Sequence, residues 1–431
     1  MFDNISAEQL KSIFTKTDDA ICVVSVSGVL TDANPAAERL FGITAGSQMK
    51  IWEAIPFVEG NDDLVQLFID AIAQKLYSQE EIVDYVNNEG EVFNLHVRMT
   101  FYNEGDPMYL IVITDLTRLI KVKSAFARYT SPDIADYVLT TEEGQKRGGM
   151  TREVTILMSD LRGFTALATT MSAQELIGLL NHYFEAMVAV IEENHGTVIE
   201  FLGDGIFVVF GAPGEYPDHA DLAVRCAIGM QNAMKDVNAW NRENGYPDLE
   251  MGIGINSGAA VIGNIGSDKK MKYGCMGSVV NTAGRVESLT VGGQVLVTAN
   301  TAERLTCKFE YASEGAFLPK GSTDELKYYE LTKAGEAELD LAYAKIDWTD
   351  CAPVEYFFFV VEGKQIVKDV HKGTVTKLSE DGKHALLTTD FGLEKGMNIM
   401  LQKGDERIYA KVTGKQADGY VICFTSLKVS R

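Results

Sequence analysis

Asp160, Asp204, Asn281 and Arg285 stand in three short stretches whose residue types suit chemistry at phosphorus. In Val154-Thr155-Ile156-Leu157-Met158-Ser159-Asp160-Leu161-Arg162-Gly163-Phe164-Thr165, an apolar strand ends in an aspartate and turns through a glycine into a helix. Such a turn aims backbone N–H groups at a point beside a carboxylate, which suits a polyphosphate whose charge is bridged by metal. In Ile199-Glu200-Phe201-Leu202-Gly203-Asp204-Gly205-Ile206-Phe207, a second carboxylate can pair with the first. Two carboxylates sharing two divalent cations are a pattern for displacement at phosphorus. In Gly277-Ser278-Val279-Val280-Asn281-Thr282-Ala283-Gly284-Arg285, the asparagine and arginine are four apart and share one helix face. A neutral hydrogen-bonder beside a fixed cation can orient a ribose and stabilise phosphoryl charge. Taken singly, each stretch also fits a plain structural role: an N-cap aspartate, an Asp-Gly hairpin turn, or a surface pair.

These residues need strands and helices to bring them together, and residues 151–331 alternate the two. A strand is predicted over Glu153–Met158. A helix follows from Ala173, with Ser172 and Glu175 spaced as a capping box. Its apolar face recurs at helical period through Leu176, Leu179, Leu180, Tyr183, Phe184, Met187 and Ile191. His195-Gly196 ends it, and a hairpin pairs Thr197–Leu202 with Ile206–Phe210. A helix around Asp221–Val237, a strand Glu250–Ile255, a second hairpin and a helix Val279–Leu289 complete the series.

In order and in spacing, the three stretches together resemble the class III adenylyl and guanylyl cyclases, across residues 126–331. The resemblance implies a ferredoxin-like βαββαβ catalytic domain and two divalent metal ions, Mg²⁺ or Mn²⁺. Asp160 and Asp204 would hold them, helped by the Leu161 carbonyl. It implies phosphate contacts from Gly163, Phe164 and Thr165, and action of Asn281 and Arg285 on the ribose and α-phosphate. Lys320, in Leu318-Pro319-Lys320-Gly321, matches a lysine that contacts the triphosphate. Lys270 sits where many bacterial members have arginine; a solvated surface lysine is an equal reading. The family works as a dimer with sites built from two chains. This chain carries both sets, so a homodimer with two equivalent sites is expected.

Two positions read the purine in that family, here Glu200 and Gly274. Guanylyl cyclases typically place glutamate first, and adenylyl cyclases lysine. An ionised glutamate accepts from both guanine N1–H and N2–H₂, whereas adenine N1 would face it unsatisfied. GTP is therefore the expected substrate, with ATP or mixed use as one alternative and an inactive nucleotide-binding sensor as an alternative of another class; neither metal aspartate nor the arginine is lost, which favours an enzyme. Gly274 offers no side chain to guanine O6, and strand alternation turns Cys275 the other way.

The flanks read as separate domains. Ala20–Val26 and Val29–Asp32 form a predicted hairpin. Asn34-Pro35 opens a helix that stops at Gly42, and later strands follow at Glu81–Val86, Val92–Phe101 and Met108–Thr114. With Ile21–Gly42 and the closing Val112–Thr117, this order resembles a PAS domain, placed at 1–116. Its ligand is unspecified, and His96 on a strand reads as structural. Residues 117–150 form a helical linker whose Phe126–Pro132 phrase resembles a cyclase transducer element, with Thr140–Gly149 as polar linker. The catalytic domain is expected over 151–333. A C-terminal β domain over 352–431 weakly resembles a PilZ-like barrel through Ser379 and Gly382. It lacks that family's paired arginines and has Lys377 at its acidic or amide position, so it reads as an interaction module. The whole is an α+β multidomain chain.

The net charge of −22 disfavours nonspecific binding to nucleic acid or an anionic membrane. It also means that an anionic substrate needs locally placed cations. No stretch reaches the ~18 apolar residues of a membrane helix, and the N-terminus lacks a basic-then-apolar signal. The six scattered cysteines read as reduced thiols of a cytoplasmic protein.

Overall fold

The computed structural model describes residues 6–103, 105–318, 325–340, 348–362, 365–380, 382–394 and 396–425. The chain divides into two compact units, Met1–Tyr129 and Thr130–Arg431.

In the first unit, α1 (Ala7–Lys16) precedes β1 (Ala20–Ser25), β2 (Leu30–Ala33) and α2 (Pro35–Phe41). Then come α3 (Asp62–Ala73), β3 (Ser78–Val86), β4 (Val92–Tyr102), β5 (Met108–Asp115) and α4 (Thr117–Tyr129). The strands form one sheet in the order β2-β1-β5-β4-β3. As the sequence predicts, Asn34 caps α2 and Gly42 ends it at φ +67°. The buried Asn34 amide also accepts from Ile21 N and donates to Phe14 O and Asp19 O, which ties the helix to the sheet. The α3 helix, passed over in the sequence, buries Leu64, Leu67, Phe68 and Ala71 at helical spacing. His96 sits 2.7 Å from Glu80 on the neighbouring strand, a structural partner as expected.

The second unit opens with α5 (Pro132–Thr140) and α6 (Glu142–Gln145). Its α/β core comprises β6 (Gly148–Leu161), α7 (Phe164–Ala168), α8 (Ala173–Glu193), β7 (Thr197–Leu202), β8 (Gly205–Phe210), α9 (His219–Glu243), β9 (Met251–Ser267), β10 (Lys270–Met276) and α10 (Ser278–Glu287). It closes with β11 (Val295–Thr298), α11 (Ala299–Ala302), β12 (Phe309–Phe317), β13 (Leu326–Ala334) and β14 (Ala337–Glu338). The order β9-β6-β8-β7 gives the ferredoxin-like βαββαβ plan, with β11, β13 and β12 continuing the sheet past β9. The α8 and α9 helices bury Leu179, Tyr183, Met187, Cys226 and Met230 against β8, which is buried at every position.

Two boundaries differ from the sequence reading. The predicted polar linker Thr140–Gly149 contains α6 and the first residues of β6, because Gly148 and Gly149 pair with Asn264 and Gly263. The strand expected over Glu250–Ile255 runs on to Ser267 as one 17-residue strand, whose far half makes the second hairpin with β10. Asn264 on this strand donates to Gly144 O (2.6 Å) and Lys146 O (3.1 Å), joining the preceding segment to β9.

The C-terminal part holds β15 (Trp348–Glu362), β16 (Gln365–Ile366), β17 (His371–Ser379), β18 (His384–Thr388), β19 (Asn398–Lys403), β20 (Glu406–Gln416) and β21 (Gly419–Phe424). Pairing of β15 with β19 closes six of them into a barrel. Ser379 exchanges hydrogen bonds with the His384 backbone across a turn in which Gly382 has φ +70°. The barrel packs on the α/β core. Buried Lys411 donates to Ser288 O (2.5 Å) and Thr290 O (2.8 Å), and Lys383 pairs with Glu250.

Candidate active site

The β6 strand delivers Asp160 at its last turn, and the β7–β8 hairpin delivers Asp204 beside it. Gly203 takes φ +71° to make that tight turn. The Asp204 carboxylate accepts the Leu161 N–H, and a Cβ on Gly205 would sit 3.3 Å from Asp160 Oδ1. Burial raises the Asp160 pKa. Burial first, then the Asp160 charge, pushes Asp204 up to about 6. Two half-buried carboxylates that repel each other are stabilised by a shared cation, so this donor set fits divalent metal.

Arg162 faces the same place, 3.7 Å from Asp160 Oδ2, and also pairs with Glu287 at the end of α10. Burial lowers its pKa, which the Asp160 and Asp204 charges oppose, and its Nε is buried without a partner. Sequence reasoning gave Arg162 no role. The signal was its position two residues after Asp160.

The turn after β6 places Gly163 at φ +69° with its face exposed, and Thr165 is exposed on the first turn of α7. Phe164 packs its ring on the α8–α9 core, so only its backbone is left for a phosphate. A Cβ on Gly163 would lie 3.2 Å from Thr425 O of the barrel. Lys270 is exposed at the start of β10. Lys320 lies outside the described residues.

A cavity of about 200 Å³ opens between β7, β8, β9 and β10, lined by Ile199, Glu200, Phe207, Ile265, Lys272, Gly274 and Cys275. Both purine-reading positions of the sequence analysis therefore meet there. Lys272 and Glu200 supply its charged edge, with Nζ 2.5 Å from Oε2. Lys272 was missed in the sequence, although it lies two residues from Gly274 on one strand face. Cys275 borders the cavity too, where alternation alone had turned it away.

Asn281 and Arg285 are exposed on α10, while Val279, Ala283 and Val286 bury the opposite face. Among the described residues, no hydrogen bond or ion pair joins Asn281 or Arg285 to Asp160 or Asp204. No helix among them is long and apolar enough to cross a membrane.

Residues 149–333 match the family model "Adenylate and Guanylate cyclase catalytic domain", and residues 18–118 match a PAS domain model. The chain is 29% identical over 208 residues to adenylate cyclase 1 of Rhizobium meliloti, covering 48% of this chain and 31% of that protein. The crystal structure of the guanylyl cyclase Cya2 is 42% identical, covering 44% of this chain and 99% of that one, with TM-score 0.44. The adenylyl cyclase CyaB from P. aeruginosa is 30% identical, covering 44% and 98%, with TM-score 0.42. The chain spans about a third of the length of the curated relatives it matches, 31% and 37% for two of them. Two carboxylates meeting at the end of β6, and a helix carrying asparagine and arginine, thus fall inside the matched segment, and the chain carries a class III adenylate and guanylate cyclase catalytic domain together with a PAS domain.

Proposed function

We propose that this chain is a guanylyl cyclase, converting GTP to 3′,5′-cyclic GMP and diphosphate at sites shared by two copies. The observation that carries the reading is the charged edge of the cavity, where Glu200 and Lys272 stand in contact. Guanine presents two donors, N1–H and N2–H₂, next to the acceptor O6. A carboxylate beside an ammonium complements that edge, while adenine N1 would meet the carboxylate lone pair to lone pair.

In this reading Asp160, Asp204 and the Leu161 carbonyl hold two divalent ions, Mg²⁺ or Mn²⁺. When bound there, such ions would supply charge stabilisation and make the ribose 3′-hydroxyl easier to deprotonate. Backbone groups of Gly163, Phe164 and Thr165 and the Lys320 ammonium bind the phosphates, with Lys270 at the site's rim. Asn281 of the second copy orients the ribose, and its Arg285 meets the charge that grows on the α-phosphoryl oxygens. The 3′-oxygen bonds to the α-phosphorus as the bond to diphosphate breaks. The PAS domain is the regulatory input, and the C-terminal barrel an interaction module. The protein acts in the cytoplasm.

One observation favours a second reading, adenylyl or mixed activity. Gly274 places no side chain in the cavity, so the second purine-reading position adds nothing to the choice of base, which rests on Glu200 and Lys272 alone. Incubating purified protein with GTP or ATP and identifying the products by mass spectrometry separates the readings. Cyclic GMP as the main product is expected. Cyclic AMP as the main product overturns the guanylyl assignment, and no cyclic product with either overturns cyclase activity.

A further inference from the structure

The α10 helix must hold Asn281 and Arg285 at a fixed depth, and β9 builds its seat. Positions 254, 256 and 258 lie on one face of that strand. Gly254 lets the helix come down, and Gly258 lies beneath its first turn. A Cβ at 254 would overlap the Glu287 amide and lie 2.8 Å from Ala283 O, and one at 258 would touch Val279 Cγ2 at 3.6 Å. Between them stands Asn256, 2% exposed. Its Nδ2 donates to Val279 O in the first turn of α10 at 3.0 Å. Its Oδ1 accepts from Thr298 Oγ1 at 2.8 Å and from Asn300 Nδ2 at 3.3 Å, which fixes the direction of the amide.

The chain of bonds continues away from the helix. Thr301 Oγ1 lies 3.4 Å from Thr298 Oγ1 and accepts from Ser257 Oγ at 2.9 Å. Ser257 Oγ lies 2.6 Å from Thr155 Oγ1, which reaches His219 Nδ1 at 2.8 Å. An apolar core needs none of this. A buried amide between two glycines, oriented from behind and donating into a helix backbone, is a device for fixing rotation and depth.

We propose that Asn256 is a positioning residue for catalysis, setting where Asn281 and Arg285 of its own chain stand. This rests on the reading of sites shared by two copies. Asn256 therefore serves the half-site that its chain lends to the partner, and not the half-site holding Asp160 and Asp204.

Asn256→Ala should lower kcat about 10- to 100-fold with little change in KM, the size expected when a reacting group shifts by a fraction of an ångström to one ångström. Mixed with Asp160→Ala, it should recover to about a quarter of wild type, since half the dimers are mixed and each holds one complete site. Mixed with Arg285→Ala it should not recover, because both variants damage the same half. The Asp160→Ala with Arg285→Ala mixture is the control, expected at a quarter as well. Wild-type kcat for Asn256→Ala overturns the proposal. So does failure of Asp160→Ala to rescue it while the control recovers, which marks general damage. A control that stays inactive refutes the shared site instead, and the kcat and KM of Asn256→Ala then decide alone. If Asn256→Ala does not fold, Thr298→Val, which removes the shorter of the two bonds that orient the amide, should give a several-fold fall and the same pattern of rescue.

Discussion

Replacing Glu200 by lysine removes both acceptors from the charged edge of the cavity. Two hydrogen bonds to a charged group are worth about 1.5–3 kcal/mol each. Their loss spans about 3–6 kcal/mol, and the Glu200 side chain is 46% exposed, so water competes and the lower end applies. About 3 kcal/mol is roughly a 100-fold fall in kcat/KM for GTP. The new ammonium also faces Lys272. That repulsion is about 1 kcal/mol at 4 Å in water, and Lys272, 52% exposed, can turn outward to relieve it. Lost acceptors therefore dominate. Adding Gly274→Asp should raise ATP use, because aspartate accepts from adenine N6–H₂. The side chain fits, since a Cβ there meets nothing nearer than the mobile end of Ile265 at 3.3 Å. Initial rates with each triphosphate, products separated by chromatography, give the GTP to ATP ratio. A ratio unchanged in Glu200→Lys refutes the assignment of Glu200 to the base.

Asp160→Ala and Asp204→Ala should each abolish turnover and leave the fold intact by circular dichroism, because each removes a proposed metal ligand that little else in the site can replace. Cyclic nucleotide production at wild-type rate by either variant counts against the metal assignment. An equal mixture of Asp160→Ala and Arg285→Ala, each inactive alone, should reach about a quarter of wild-type activity after subunit exchange; a mixture that exchanges yet stays inactive contradicts the shared site. Burial, and then Arg162, pushes Lys411 down to about 7 from 10.5. The unfolded chain therefore holds the extra proton between those values, and stability should rise with pH across that window, by about 2 kcal/mol from pH 7 to pH 9. Below pH 7 both states are protonated and the rise stops. Denaturant melts of wild type and Lys411→Met at both pH values check this, since the variant should lose the rise.

Local signals were the legible ones. The Ser172–Glu175 capping box, Asn34 before Pro35 and the Gly203-Asp204-Gly205 turn each occupy the structural place their chemistry demands. The carboxylates, Glu200 and Gly274 could be picked out because each sits in a recognisable run, and the fold brings them together in the pairs expected. What stayed hidden depends on partners far along the chain. The glycine-rich second half of β9 was read as part of a separate hairpin, yet it continues the same strand and its glycines mark close approach of strands: a Cβ on Gly263 would overlap Gly148 O. Lysines read as solvated, so nothing local announced that Lys272 would face Glu200, or that Lys411 would be 4% exposed at a joint between barrel and core. Asn256 fell just past the strand predicted over Glu250–Ile255, and its partners Val279 and Thr298 lie more than twenty residues further along the chain.

The β9 strand is unbroken from Met251 to Ser267. At about 3.3 Å per residue it extends roughly 55 Å. Near its beginning lies the turn that holds Arg162, which donates its backbone N–H to Glu250 O. Its middle carries α10, and near its end Asn264 binds the segment before β6 while Ile265 borders the cavity. A paired strand cannot slip by one residue without turning every side chain to the wrong face. Its register is therefore held at several stations along its length. One register thus ties together the turn that holds Arg162, the seat of α10, the segment before β6 and the border of the cavity.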